Sequence, residues 1–286
     1  MSHIHDEQVK ELELKALEIR QDIIKMLLEA GSGHSAGSLG MTDVFTALYF
    51  HILHHDPKEP EWADRDRLLL SNGHICPVRY AAMAHAGYFP REELLTLRKF
   101  GSRLQGHPER TKIAALENTS GPLGAGLAQA AGLAYAAQMD DKKWWTYVVT
   151  SDGEHGAGLH WEAMLFAGKN RLGKLINIVD RNNIQIDGTT EDIMPLEPLK
   201  EKYESFNWHV IEIDGNDIRQ IVEACNQAKA VAEQPTCILA HNIPGRGVDF
   251  MEGEVKWHGM PPNAEQAEEA LRQLDELKKK LKSDHR

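Results

Sequence analysis

The sequence predicts an α/β protein built on a doubly wound parallel sheet with helices on both faces. Three observations lead there. Trp144 to Thr150 and Lys174 to Asp180 are nearly continuous apolar runs, as expected for parallel strands buried on both faces. Segments with helical spacing of apolar residues stand between such runs, so that strand and helix alternate. With 286 residues, 42% of them hydrophobic, the chain can bury a sizeable core and sits near the upper limit for one domain.

Taken in order, residues 7–30 place Leu12, Ile19, Ile23, Met26 and Leu27 at helical spacing among charges, an amphipathic helix that stops at Gly31-Ser32-Gly33. A second helix runs from Thr42, as its N-cap, through Leu48 and His51, before Pro57 and Pro60 break the chain. Arg67 to Leu70 reads as a short strand, Val78 to His85 as a helix, and Leu123 to Gln138 as an Ala- and Gly-rich helix able to pack closely. Leu159 to Arg171 is the helix that joins the two clearest strands into a βαβ unit. Strand Trp208 to Ile213, helix Asp217 to Ala232 and strand Thr236 to His241 close a domain spanning 1–263. Residues 264–286 carry Leu271, Leu274, Leu277 and Leu281 among many charges, a tail helix that either packs on that domain or, as the less favoured reading, docks a partner. No internal repeat, low-complexity linker or second complete domain is evident.

The formal charge of -11, with no dense Lys/Arg stripe, argues against a nucleic-acid surface, because nothing is there to displace counterions from phosphates. Small anions can still be held locally. Cys76, Cys225 and Cys237 are far apart and form no C-x-x-C pair, so neither a disulfide framework nor a zinc site is suggested and a reducing cytoplasm fits. No apolar run reaches the ~18 residues that span a bilayer, and Met1 to Lys10 is polar and acidic, unlike a signal peptide. No membrane partner is expected. His3 and His5 read as part of an unanchored terminus and not as a metal site.

The stretch that carries chemistry is Ser151-Asp152-Gly153-Glu154, followed about thirty residues later by Asn182 in Asp180-Arg181-Asn182-Asn183-Ile184-Gln185-Ile186-Asp187-Gly188. Asp152 ends one predicted strand and Asn182 the next, so a parallel sheet projects both from its carboxyl edge, where open α/β sheets bind ligands. A carboxylate and an amide oxygen there are hard donors, suited to Mg²⁺ or Ca²⁺ that also holds phosphate oxygens. Gly153 has no Cβ to keep a phosphate from its backbone amide. The alternative is a pair of ordinary strand-end turns, in which Asp, Asn and Gly are common for conformational reasons alone.

D-G, about thirty residues and N-N resembles the signature of thiamine diphosphate enzymes, and the continuation Ile184-Gln185-Ile186-Asp187-Gly188 looks like its transketolase branch. Gly31-Ser32-Gly33-His34, Leu70-Ser71-Asn72-Gly73-His74, Gln105-Gly106-His107-Pro108-Glu109, Ser120-Gly121-Pro122-Leu123-Gly124 and Trp257-His258-Gly259 match that branch in its order. The resemblance runs from about residue 8 to residue 262. It is to the N-terminal part of transketolases, which are roughly twice this length, so the chain resembles one half of a split enzyme.

That resemblance implies transfer of a two-carbon ketol unit from a ketose phosphate to an aldose phosphate. It implies a metal held by Asp152, Asn182 and the carbonyl of Ile184, as Mg²⁺ or else Ca²⁺ or Mn²⁺. Gly153 and His74 would contact the diphosphate; Gly121 and Leu123 would line the aminopyrimidine; His34, His107 and His258 would hold the sugar's oxygens. Imidazoles suit proton movement among sugar hydroxyls near neutral pH, although a lone His in a loop is more often a structural hydrogen-bonder.

The sequence also departs from the family. Ala157 stands where a Glu linking paired active sites is usual, while a second, Glu162, is retained; Ser151 replaces a glycine, and Ser35-Ala36 replaces Pro-Gly. The glutamate that activates the aminopyrimidine belongs to a pyrimidine-binding domain that has no counterpart here, and Glu233, next to Pro235, reads as a surface charge. A partner subunit carrying that domain, in an α2β2 assembly, is therefore expected. Competing readings are a component of a 2-oxo-acid dehydrogenase and a noncatalytic cofactor-binding homologue.

Overall fold

The computed structural model describes residues 4–283, so His3 and the last three residues of the expected tail lie outside them. The chain begins with α1 (Asp6–Ala30), α2 (Ser35–Gly40) and α3 (Thr42–Ala47), then β1 (Arg67–Leu70), α4 (Cys76–Ala86) and α5 (Ala125–Met139). β2 (Thr146–Ser151), α6 (Gly158–Lys169) and β3 (Leu175–Arg181) follow as the βαβ unit. A small hairpin, β4 (Ile184–Gln185) and β5 (Gly188–Thr189), leads into α7 (Thr190–Ile193) and α8 (Leu199–Ser205). The chain ends with β6 (His209–Asp214), α9 (Ile218–Ala230), β7 (Thr236–His241) and α10 (Ala264–Ser283).

Among the described residues five parallel strands form one sheet in the order β1-β2-β3-β7-β6. Strand period two divides the core into two layers. Tyr147, Val149, Ile176, Ile178 and Ile238 pack with α1, α3, α4 and α9 on one face, while Val148, Leu175, Val179 and Leu239 pack with α5, α6 and α8 on the other. That is the doubly wound arrangement. α10 lies along α1, burying Ala270 and Leu274 and setting Lys278 Nζ 2.9 Å from Glu18 Oε1.

Several boundaries differ from expectation for physical reasons. Thr42 is not an N-cap: Met41 holds that place, and Thr42 is already helical, its Oγ1 donating to Ser38 O at 2.9 Å. The Gly/Ser-rich segment before it is helical as α2, because Ser35, Ala36, Ser38 and Leu39 are buried against the domain. α5 starts at Ala125, since Gly124 adopts φ 82, and a β-carbon there would fall 2.4 Å from that of Ala157. β2 starts at Thr146, two residues later than expected. α9 stops at Ala230, leaving Glu233 beyond its end and exposed. The hairpin, α7 and α8 were not anticipated.

Candidate active site

β2 and β3 pair with Ser151 opposite Asp180, so the residues just beyond both strands share the carboxyl edge. Asp152 is wholly buried there, its Oδ1 accepting from Gly153 N at 2.7 Å and its Oδ2 from Asn183 N at 2.7 Å and Arg181 Nη1 at 3.2 Å. Burial pushes its carboxyl up to about 6, against the pull of the Asn183 amide and the Arg181 guanidinium. Arg181 also donates to Thr190 Oγ1, Glu191 and Glu197, and so ties the segment behind Asn182 to Asp152. Asn182 accepts from Ile184 N through Oδ1 and donates to Asp180 Oδ2 at 2.8 Å. Asp180 is fully enclosed, and burial, then the negative charge of Asp152, raises it to about 8.

Above this edge opens a cavity of about 370 Å³ whose wall includes His34, His74, His107, His258, Gly121, Leu123, Gly153, Asn182 and Ile184. His34 precedes α2, and His74 sits in the short helical turn before α4. Their rings lie 4.8 Å apart, with His258 at 5.7 Å from the first and 5.4 Å from the second. Ser35 Oγ donates to Met260 O at 2.6 Å, fastening the His34 turn to the His258 turn. Gly73 is required by close approach: a β-carbon there would meet that of Ser120 at 2.6 Å and the His107 ring at 3.0 Å. Burial lowers all four imidazoles, His34 to about 4 and His74 well below its usual value. They are neutral near pH 7 and free to accept or donate.

Glu154 is the residue the sequence reading missed most clearly, although it stands inside the quoted motif. Its buried carboxylate accepts from Ser151 N at 2.9 Å, Ser71 Oγ at 2.7 Å and Gly124 N at 2.8 Å. One side chain thus joins the ends of β1 and β2 to the turn before α5. Asp180, Gln185 and Asn242 were also unassigned; Asp180, near the end of β3, and Gln185 stand inside the quoted motif, whereas Asn242 carried no signal.

Most predicted site residues converge on one cavity, with two exceptions. Asp152 lies immediately behind the wall with its carboxylate engaged by protein donors, yet two oxygens offer about four lone pairs and three are used. Glu162 is exposed on α6 and lines no part of the cavity. Among the described residues no three His, Cys, Asp or Glu side chains converge as a metal centre, and the expected donor set holds only one carboxylate. A larger hollow of about 590 Å³, walled by Trp62, Trp144, Trp145 and charged residues, lies at the opposite, amino-terminal edge of β1 and β2. His155 and His160 are buried structural residues bonded to Tyr203 Oη at 2.8 and 2.9 Å. No helix is long and apolar enough to cross a membrane among the described residues, and all three cysteines are buried free thiols.

The family described as transketolase, thiamine diphosphate binding domain, matches residues 13–280. The chain is 42% identical over 269 residues to the 6-deoxy-6-sulfo-D-fructose transketolase subunit of Clostridium sp. (strain MSTE9), covering 94% of this chain and 98% of that protein. It is 37% identical over 278 residues to an apulose-4-phosphate transketolase subunit of Phocaeicola vulgatus, covering 97% and 99%. The solved transketolase from Leishmania mexicana superposes with a TM-score of 0.84 at 31% identity, over 96% of this chain but 45% of that one. The chain therefore spans about half the length of that enzyme.

Proposed function

The chain belongs to the transketolase family as a thiamine diphosphate-binding subunit, and on that premise we propose that it moves a two-carbon ketol unit from a ketose phosphate to an aldose phosphate once a partner chain completes its site. The observation that carries this reading is the single cavity in which four neutral imidazoles face the carboxyl ends of β2 and β3.

The residues present fit the expected cofactor. Asp152, Asn182 and the Ile184 carbonyl are hard oxygen donors at one strand edge, suited to Mg²⁺, with Ca²⁺ or Mn²⁺ as alternatives. Buried polar atoms without partners, His34 Nδ1 and Gln185 Nε2, belong to residues of the cavity wall, where a polar ligand would satisfy them. At Gly153 a β-carbon would already stand 3.3 Å from Gln185 Oε1, so glycine keeps that approach open. When bound, thiamine diphosphate supplies the nucleophilic carbon and the electron sink for carbon–carbon cleavage.

This chain's own residues bind, orient and move protons. Asp152, Asn182 and Ile184 hold the metal, Gly153 and His74 the diphosphate, Gly121 and Leu123 the aminopyrimidine side. His34, His107 and His258 hold the sugar's hydroxyl and carbonyl oxygens and exchange protons with them as neutral rings. Of the carboxyls at the strand edge, Glu154 takes three protein donors and Asp180 two. The activating glutamate is assigned to the partner, in keeping with relatives named as transketolase subunits. Exposed Leu123, Ile186, Ile193 and Met194 near the cavity mouth are apolar surface for such a partner to cover. We assign the complex an α2β2 composition, with Glu162 contributing between paired sites, and place it in the cytoplasm.

The test is to mix this chain with a chain carrying the pyrimidine-binding domain, add thiamine diphosphate and Mg²⁺, and follow aldose-dependent loss of ketose phosphate beside decarboxylation of 2-oxo acids. Ketol transfer by the mixture alone is expected. Decarboxylation without ketol transfer would assign the chain to the oxo-acid enzymes, and cofactor binding with neither reaction to the noncatalytic homologues.

A further inference from the structure

Arg98 lies outside the cavity wall on the loop that leads to His107. Its backbone occupies the left-handed region at φ 60, held by its N–H donating to Leu104 O at 2.8 Å. From there the side chain reaches the turn before His107: a β-carbon on Gly106 would fall 2.8 Å from Cζ, so the guanidinium rests directly on glycine backbone. Nη1 donates to Ser32 Oγ at 3.4 Å, in the turn that carries His34. Among the described residues no carboxylate pairs with Arg98. A strained, half-buried cation facing histidines with no counter-charge is costly unless it serves the site.

We propose that Arg98 is a positioning residue for the proposed sugar site: its guanidinium ties the His34 turn to the His107 turn and keeps an uncompensated positive charge beside both rings. The inference rests on the reading that these rings handle sugar protons. The groups facing His34 are His74, His107, His258 and Arg98, and Arg98 is the charged group facing His107; of the carboxyls around the cavity, Glu154 and Asp180 stand at the strand edge and Asp187 on the hairpin turn. Burial is the largest cause of the low proton affinity of both rings, and Arg98 adds to it in each. The charge therefore keeps imidazole in its neutral, proton-accepting form at slightly acid pH, while the guanidinium, packed on Gly106 and bonded to Ser32, joins the two turns that carry the rings.

The experiment titrates ¹³C-labelled histidines of the assembled two-chain enzyme by NMR, with His34→Asn and His107→Asn assigning the signals. Arg98→Met should raise both rings by about 0.5–1 pH unit, and Arg98→Lys by less than half of that, since the charge remains. Arg98→Gln serves as a second neutral variant should Arg98→Met not fold. Unshifted rings in both neutral variants, or equal shifts in the lysine variant, would overturn the proposal. The acid limb of kcat/KM for ketol transfer should move by the same amount as the rings. Rings that shift while that limb stays put would leave Arg98's role standing and sink the reading of His34 and His107 as proton handlers.

Discussion

Replacing Glu154 by glutamine keeps shape and removes one acceptor. The carboxylate receives Ser151 N on Oε1, and Ser71 Oγ with Gly124 N on Oε2. An amide has to turn its NH₂ toward one side. Toward Oε2 it would face the Gly124 N–H, and Ser71 would have to reverse its hydroxyl, which already accepts from Gly126 N at 3.1 Å. The expected orientation is therefore NH₂ toward Ser151, leaving two donors opposed in a buried place. A lost hydrogen bond and an unsatisfied buried N–H cost about 2–4 kcal/mol. Burial holds the Glu154 carboxyl above its usual range, so a neutral side chain recovers part of that cost and the net is about 1–3 kcal/mol. For a chain of this size that lowers the thermal midpoint by roughly 2–5 °C. Because the Gly121–Gly124 turn loses its anchor to the β2 edge, thiamine diphosphate affinity should fall as well, by about 10-fold. Differential scanning fluorimetry and cofactor titration read both. A midpoint within 1 °C of wild type together with unchanged affinity would refute the assignment of Glu154 as the clamp.

Asp152→Ala should weaken Mg²⁺-dependent cofactor binding by about 100-fold or more, since it deletes a metal donor and removes the acceptor that ties Asn183 N and Arg181 to the strand edge; unchanged affinity by calorimetry would count against the metal site. His107→Ala should lower kcat by about 10²–10⁴ while leaving cofactor affinity within about threefold, and an equal loss of both in steady-state and binding measurements would mean the ring is misplaced. Acid should destabilise the chain through His155, whose Nδ1 faces two carbonyls at 3.0 Å and whose Nε2 accepts from Tyr203. Burial lowers this ring to about 4, so its stability contribution is present above the unfolded value near 6.5 and is lost as pH falls toward 4, with a slope of about 1.4 kcal/mol per pH unit. The buried acids Asp152 and Asp180 have raised values and act in the opposite sense, so the measurement is a difference: urea unfolding of wild type and His155→Gln from pH 6.5 to 5, in which parallel slopes would contradict the argument.

Strand placement was legible because parallel strands covered on both faces are buried at every position and so read as nearly continuous apolar runs, as the middles of β2 and β3 do. Helix ends were less legible. α5 begins two residues late because Gly124 must clear Ala157, a contact between segments more than thirty positions apart in sequence. α2 is helical because burial outweighs the low helix propensity of its glycine and serine residues. In the site, the loop histidines stood out by their glycine-rich settings, and all four reach the cavity. Glu154, Arg181 and Arg98 gave no comparable sign, since a charged residue beside a motif looks the same whether it is solvated or clamped.

By itself the sequence determined the strand-and-helix alternation, the carboxyl-edge position of Asp152 and Asn182 and the histidines to be gathered around them, because those features depend on local periodicity and on residue types at the ends of elements. Only the tertiary structure decided which charges are buried and what they hold: Glu154 across three turns, Arg181 between Asp152 and the segment behind it, Arg98 between two histidine turns. A charge's role depends on which distant donors and carbonyls packing brings within hydrogen-bond reach, and no local pattern in the chain encodes that distance.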